Sequence, residues 1–90
     1  MKSISWESRV SNSNGVHCRV ASQLTEIVAG HDAEVQIMAE LETVDCTSML
    51  EILSLSLSHG SLVSFAAQGP EAQQVAEAIE ELLASDEEGF

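Results

Sequence analysis

Apolar or small residues alternate with polar ones at the start of the chain, Ile4, Trp6, Ser8 and Val10 against Ser3, Ser5, Glu7 and Arg9. That two-residue period places the first set on one face of a half-buried strand. The polar cluster SNSNG follows at residues 11–15. Its Asn14-Gly15 pair takes left-handed backbone angles at little cost, so a turn is predicted. Then the period changes: Val20, Leu24, Ile27 and Val28 recur at i, i+4, i+7 and i+8. This is one face of a helix that begins near Cys18 and that Gly30 can close.

In AEVQIMAELETVDC, residues 33–46, Val35 and Ile37 alternate with Glu34 and Gln36. Leu41 prolongs the alternation and no glycine marks a turn, which favours one long strand. The separate apolar position Val44 and the need to bury strand edges favour a hairpin. Both arrangements satisfy the residues. SMLE, residues 48–51, matches S-x-x-E ahead of Ile52, Leu53 and Leu55, so Ser48 is the expected N-cap of a short second helix. After a break at SHG, residues 58–60, Val63, Phe65 and Ala67 alternate with Ser64, Ala66 and Gln68 as a further strand. Gly69-Pro70 then sets a proline in the first turn of a third helix, whose buried stripe is Ala72, Val75, Ala76, Ile79, Leu82 and Leu83. Trp6 and Phe65 are expected in the core. The order is strand, helix, strand or strand pair, helix, strand, helix, which an α+β fold with an antiparallel sheet and helices on one face satisfies.

Composition narrows the possibilities. Ninety residues allow a single domain, assigned to residues 1–84, with the acidic residues 85–90, SDEEGF, as a frayed tail. A hydrophobic fraction of 44% and a charged fraction of 20% describe a folded unit. No apolar run approaches the roughly 18 residues of a membrane span, and the first residues do not read as a secretory signal, so a cytoplasmic location without membrane insertion is expected. Three basic residues against fifteen acidic ones leave a net charge of -12. That balance excludes nucleic acid as a partner and favours neutral or basic ones. Cys18 and Cys46 match no metal or disulfide spacing and are expected as reduced thiols, with no metal and no cofactor. His31 and His59 are expected as exposed turn residues.

His17 is the residue with a chemical setting. It lies between the predicted turn and the first helical residue, where the free N–H groups of Cys18 and Arg19 form an anion-binding helix start. Arg19 adds a guanidinium that forks two donors onto phosphate oxygens. A neutral imidazole is nucleophilic near pH 7, and its N–P bond is labile enough to pass a phosphoryl group on. Read by spacing alone, H-x-R at a helix start also fits a solvated cap.

NGVHCRVASQL resembles the N-G-L-H-A-R-P-A segment of the HPr family, the histidine-containing phosphocarriers of the bacterial sugar phosphotransferase system; Asn14, Gly15, His17, Arg19 and Ala21 are identical. TSMLEILSLSLSHG is similar to that family's K-S-I-M-G-L-M-S-L-x-x-x-x-G segment, and GPEAQQVAEAIEELL resembles its last helix. The resemblance implies an open-faced sandwich, a four-stranded antiparallel sheet covered on one face by three helices, with a hairpin within residues 39–42. Leu41 stands where the family often has a turn glycine. By the same resemblance His17 is the phosphoryl acceptor and Arg19 positions the phosphate, with Cys18 beside it at the helix start. Enzyme I, charged from phosphoenolpyruvate, would phosphorylate His17, which would donate to sugar-specific acceptor domains; the chain would be a relay and not an enzyme. Ser48 matches the serine that a regulatory serine kinase modifies in many relatives. Val20, Met49, Leu50, Glu51 and Leu53 fall on the surface expected to face partners.

Several positions depart from the family pattern. Val20 replaces a proline, which removes a rigid first turn and returns an N–H, so slower or altered transfer is expected. Cys18 replaces an alanine, either as a small residue that fits or as a reactive thiol beside Arg19. Glu51 replaces a glycine; it suits a capping box with Ser48 but would repel a phosphate there. Glu26 and Thr47 stand where relatives carry lysines, so electrostatic steering toward an acidic partner is weak. The alternative reading is a regulatory interaction module on the same fold that does not forward phosphate.

Overall fold

In the computed structural model the described residues are 3–10, 16, 18–55, 57–58 and 60–84. The element order is β1 (Ser3–Arg9), α1 (Cys18–Ala29), β2 (Glu34–Ala39), β3 (Glu42–Asp45), α2 (Met49–Ser54), β4 (Leu62–Gln68) and α3 (Ala72–Ala84). The expected turn at residues 11–15 and the expected tail at 85–90 lie outside the described residues.

The strands form one antiparallel sheet in the order β1-β4-β2-β3. The choice between one strand and two resolves as a hairpin, with Ala39 opposite Glu42 across a loop of Glu40 and Leu41. Glu40 takes φ of 56°, the left-handed value that a tight hairpin demands at its first loop position. Leu41 is wholly exposed at the tip, so its apolar character extended the apparent strand period without a packing role.

Alternation sends one face of each strand to the helices. Trp6, Phe65, Ile37 and Val44 lie in register across all four strands. Ile4, Ala67 and Val35 make a parallel row. Phe65, at the centre, is fully buried, whereas Trp6, on the edge strand, is half-buried and stacks on it with ring centroids 5.1 Å apart. The opposite face carries Ser5, Glu7, Gln36, Ser64 and Gln68 and remains uncovered, as an antiparallel sheet tolerates when that face is polar.

On the covered side α1 buries Val20, Ala21, Leu24 and Val28, and α3 buries Ala72, Val75, Ala76, Ile79 and Leu83. Both follow the predicted stripes, except that Ile27 and Leu82 are half-buried. The helices pack on each other, and α2 packs on α1 and β3. Gly30 ends α1 without a left-handed angle. His31, expected as an exposed turn residue, is half-buried, and its Nδ1 lies 2.7 Å from the Ile27 carbonyl, so it donates to a helix-end oxygen that also accepts from the Gly30 N–H at 3.2 Å. Pro70 precedes α3 instead of lying inside it: Gly69 turns at φ of 133°, and Glu71 exchanges two hydrogen bonds with Asp32, backbone N–H to carbonyl at 3.0 Å and Asp32 N–H to its carboxylate at 2.6 Å. This ties the start of α3 to the loop between α1 and β2.

Candidate functional site

The start of α1 is built from both ends of the chain segment around His17. His17 itself lies outside the described residues, as do Asn14 and Gly15; Val16 and Cys18, its neighbours in sequence, are placed. Val16 is buried, and its N–H donates to the Leu57 carbonyl at 3.0 Å, so the chain leaving α2 holds the chain entering α1. Cys18 and Arg19 follow as the first two residues of α1, both exposed. The helix is 12 residues long and has no acidic side chain in its first turn. The positive dipole end is therefore not neutralised by a carboxylate of its own turn.

Val20 was expected on the partner-facing surface, and the structure corrects this. Its side chain is 2% exposed and belongs to the core with Leu24 and Ile52. The stripe that makes α1 amphipathic begins at Val20, so the residue that replaces a proline is committed to packing and cannot meet a partner. Of the α2 residues, Leu50 and Glu51 are exposed, Leu50 at 77%, while Met49 and Leu53 are half-buried against the core.

Ser48 caps α2 in an extended conformation, its hydroxyl accepting from the Glu51 N–H at 3.3 Å. The capping box is half formed. The Ser48 N–H goes to the Asp45 carbonyl at 3.2 Å instead of to the Glu51 carboxylate. Asp45 contributes a second element that the motif reading missed: one carboxylate oxygen accepts from both the N–H and the hydroxyl of Thr47, each at 3.0 Å. The signal was present in the D-x-T spacing, which suits an Asx turn. Ser48 thus lies between two carboxylate-bearing residues, Asp45 and Glu51.

The two cysteines occupy different environments. Cys18 is exposed, whereas Cys46 is fully buried, and burial pushes its thiol up from 9.0 to about 12, with the adjacent Asp45 charge adding to the shift. Among the described residues no three His, Cys, Asp or Glu side chains converge as a metal site, and no helix is long and apolar enough to cross a membrane.

An open-faced α+β sandwich, four antiparallel strands under three helices, defines the class, and similarity to known proteins specifies it. The family model described as the PTS HPr component phosphorylation site matches residues 4–85. The phosphocarrier protein HPr of Haloferax volcanii is 33% identical over 76 residues, covering 82% of this chain and 85% of that protein. The phosphocarrier protein HPr of Vibrio cholerae is 31% identical over 71 residues, covering 79% and 80%. Among solved structures, the HPr of Bacillus anthracis superposes with a TM-score of 0.86 at 24% identity, over 92% of this chain and 99% of that one. The chain belongs to the HPr family of phosphotransferase-system phosphocarriers, which are carriers and not enzymes.

Proposed function

We propose that this chain relays a phosphoryl group through His17, receiving it from phosphoenolpyruvate-charged enzyme I and passing it to sugar-specific acceptor domains in the cytoplasm. The observation that carries the reading is the pairing of His17 with Arg19 in N-G-V-H-C-R, at the start of α1, in a chain of this family. In each transfer the lone pair of a neutral ring nitrogen of the acceptor histidine attacks phosphorus as the donor's N–P bond breaks. The donor imidazole leaves with the bonding pair, and the proton on the acceptor's other ring nitrogen stays in place. The Cys18 and Arg19 N–H groups and the Arg19 guanidinium stabilise the charge gathered on the phosphoryl oxygens. Val20 adds an N–H that a proline would lack. Ser48 acts as a helix cap, and the neighbouring Asp45 and Glu51 charges oppose its use as a kinase target. Leu50 and Glu51 supply the exposed part of the partner surface, with Met49 and Leu53 beneath it.

The test is incubation with phosphoenolpyruvate and the cognate enzyme I, followed by intact mass under neutral conditions. One acid-labile phosphate on the unmodified sequence, absent from His17→Ala, is the expected result. A chain that stays unmodified beside an enzyme I shown to be self-phosphorylated would replace the relay with the interaction-module reading.

A further inference from the structure

The side of the molecule away from α1 and α2 carries a second surface. Among the described residues strand β1 is an edge of the sheet and pairs with β4 alone. Alternate N–H and C=O groups along its outer side are therefore without a strand to bond. Below that edge runs α3, and between them lies an open groove of about 710 Å³ whose lining contains no residue of α1 or α2. Its apolar parts are Ile4, Ala76 and the half-buried ring of Trp6. Around them stand four carboxylates, Glu7 from the strand and Glu77, Glu80 and Glu81 from the helix, with no basic side chain in the lining. Glu77, Glu80 and Glu81 share one helix face by their spacing. Glu80 is also fixed in place: the Trp6 indole N–H donates to its Oε2 at 2.7 Å, and Trp6 is in turn stacked on Phe65.

From this arrangement we infer that the β1–α3 groove docks a basic, extended segment of a partner protein, which adds to β1 as a further strand and directs lysine or arginine side chains across Trp6 to the α3 carboxylates. The open edge supplies backbone hydrogen bonds and the groove supplies side-chain selection. The aliphatic stems of such side chains fit the apolar floor while their heads reach the carboxylates. A cation over the indole face gains further attraction. A second copy of this chain does not fit, because two molecules of net charge -12 would bring like carboxylates together. The inference does not depend on phosphoryl transfer, since the groove uses none of the residues assigned to it.

Trp6 is the only tryptophan, so its fluorescence reports on the groove. The probe is an acetylated, amidated octapeptide alternating lysine and threonine, titrated at low salt into the full chain, with backbone amide shifts followed by NMR. A saturable fluorescence change, with shifts confined to β1 and α3, is expected. Glu77→Gln with Glu81→Gln, which leaves the Trp6–Glu80 bond intact, should weaken binding by about tenfold at a melting temperature no lower than that of the unsubstituted chain. The same peptide N-methylated at alternate residues cannot pair as a strand and should bind at least about tenfold more weakly. Shifts scattered over all acidic surfaces, equal binding of the N-methylated peptide, or an unaffected double variant would each overturn the proposal. His17 phosphorylation by enzyme I is scored separately, so either reading can fail without the other.

Discussion

A carbon atom added at Gly69 would lie 2.8 Å from the Asp32 carbonyl oxygen and 2.9 Å from the Ala33 Cα, both backbone atoms, at φ of 133°. Neither neighbour can rotate away, because Asp32 is held by two hydrogen bonds to Glu71. Gly69→Ala is therefore expected to destabilise the fold by about 2–4 kcal/mol, read as a lowered urea midpoint. Gly30→Ala is the control, since its added carbon would meet nothing closer than 3.4 Å and its backbone angle is ordinary; equal losses at the two sites would contradict the argument. Cys46 has its consequence in alkaline solution. Both folded and unfolded thiols are protonated below pH 9, so stability there is unaffected; above it the unfolded thiol ionises while the folded one, raised to about 12, resists. The folded state then binds more protons, and stability should fall by up to about 1.4 kcal/mol per pH unit between the two values. The chain has no tyrosine to confuse that window. Urea unfolding at several alkaline pH values should show the decline, and Cys46→Ala should flatten it; an unchanged slope in the variant would assign the decline elsewhere.

At the scale of elements, the β2–β3 hairpin shows where sequence periodicity stops being sufficient. The stripes of α1 and α3 and the alternation in β1 and β4 were legible because one buried face repeats along each element. The hairpin was not, because its turn uses Glu40 and Leu41 in place of glycine or asparagine and so leaves no break in the pattern; only resemblance to a family located it. Val20 was misplaced for a related reason, since family position suggested a surface role while its own spacing to Leu24 and Val28 already placed it inside. His17 was legible as a candidate from its neighbours, whereas the Leu57 carbonyl that holds Val16 was not, because backbone partners distant in sequence leave no side-chain signal. The strained turn carries its own prediction. Glu40 at φ of 56° is exposed, so Glu40→Gly relieves an unfavourable conformation without removing a core contact. A gain of about 0.5–1 kcal/mol in unfolding free energy is expected. A loss would mean that Glu40 makes an interaction worth more than its backbone strain.

At the scale of the whole molecule, charge dominates. Fifteen acidic and three basic side chains are carried by a body of 36 × 29 × 20 Å, so carboxylates on different elements lie within reach of one another at low ionic strength. Glu80 and Glu81 add to this by standing in the C-terminal half of α3, toward the negative end of its dipole, with no basic residue in its last turn. Unfolding separates these charges, so self-repulsion lowers the stability of the compact state. Raising sodium chloride from about 20 mM to about 300 mM shortens the screening length from roughly 20 Å to roughly 6 Å. The melting temperature should rise by several degrees over that range, a domain of this size gaining about 4–8 °C for each kcal/mol relieved. Glu81→Lys should raise the low-salt melting temperature and shrink the salt response together, because it removes a negative charge and complements the helix end. A melting temperature that is flat in salt, or a response untouched by Glu81→Lys, would place the carboxylates too far apart or too well hydrated to matter. The same test bears on docking, because the salt that relieves repulsion within the molecule also weakens a basic segment's attraction to the β1–α3 groove. Binding should therefore weaken as the fold becomes more stable, whereas binding driven by exposure of an unfolded edge would weaken only in proportion to the population of that state.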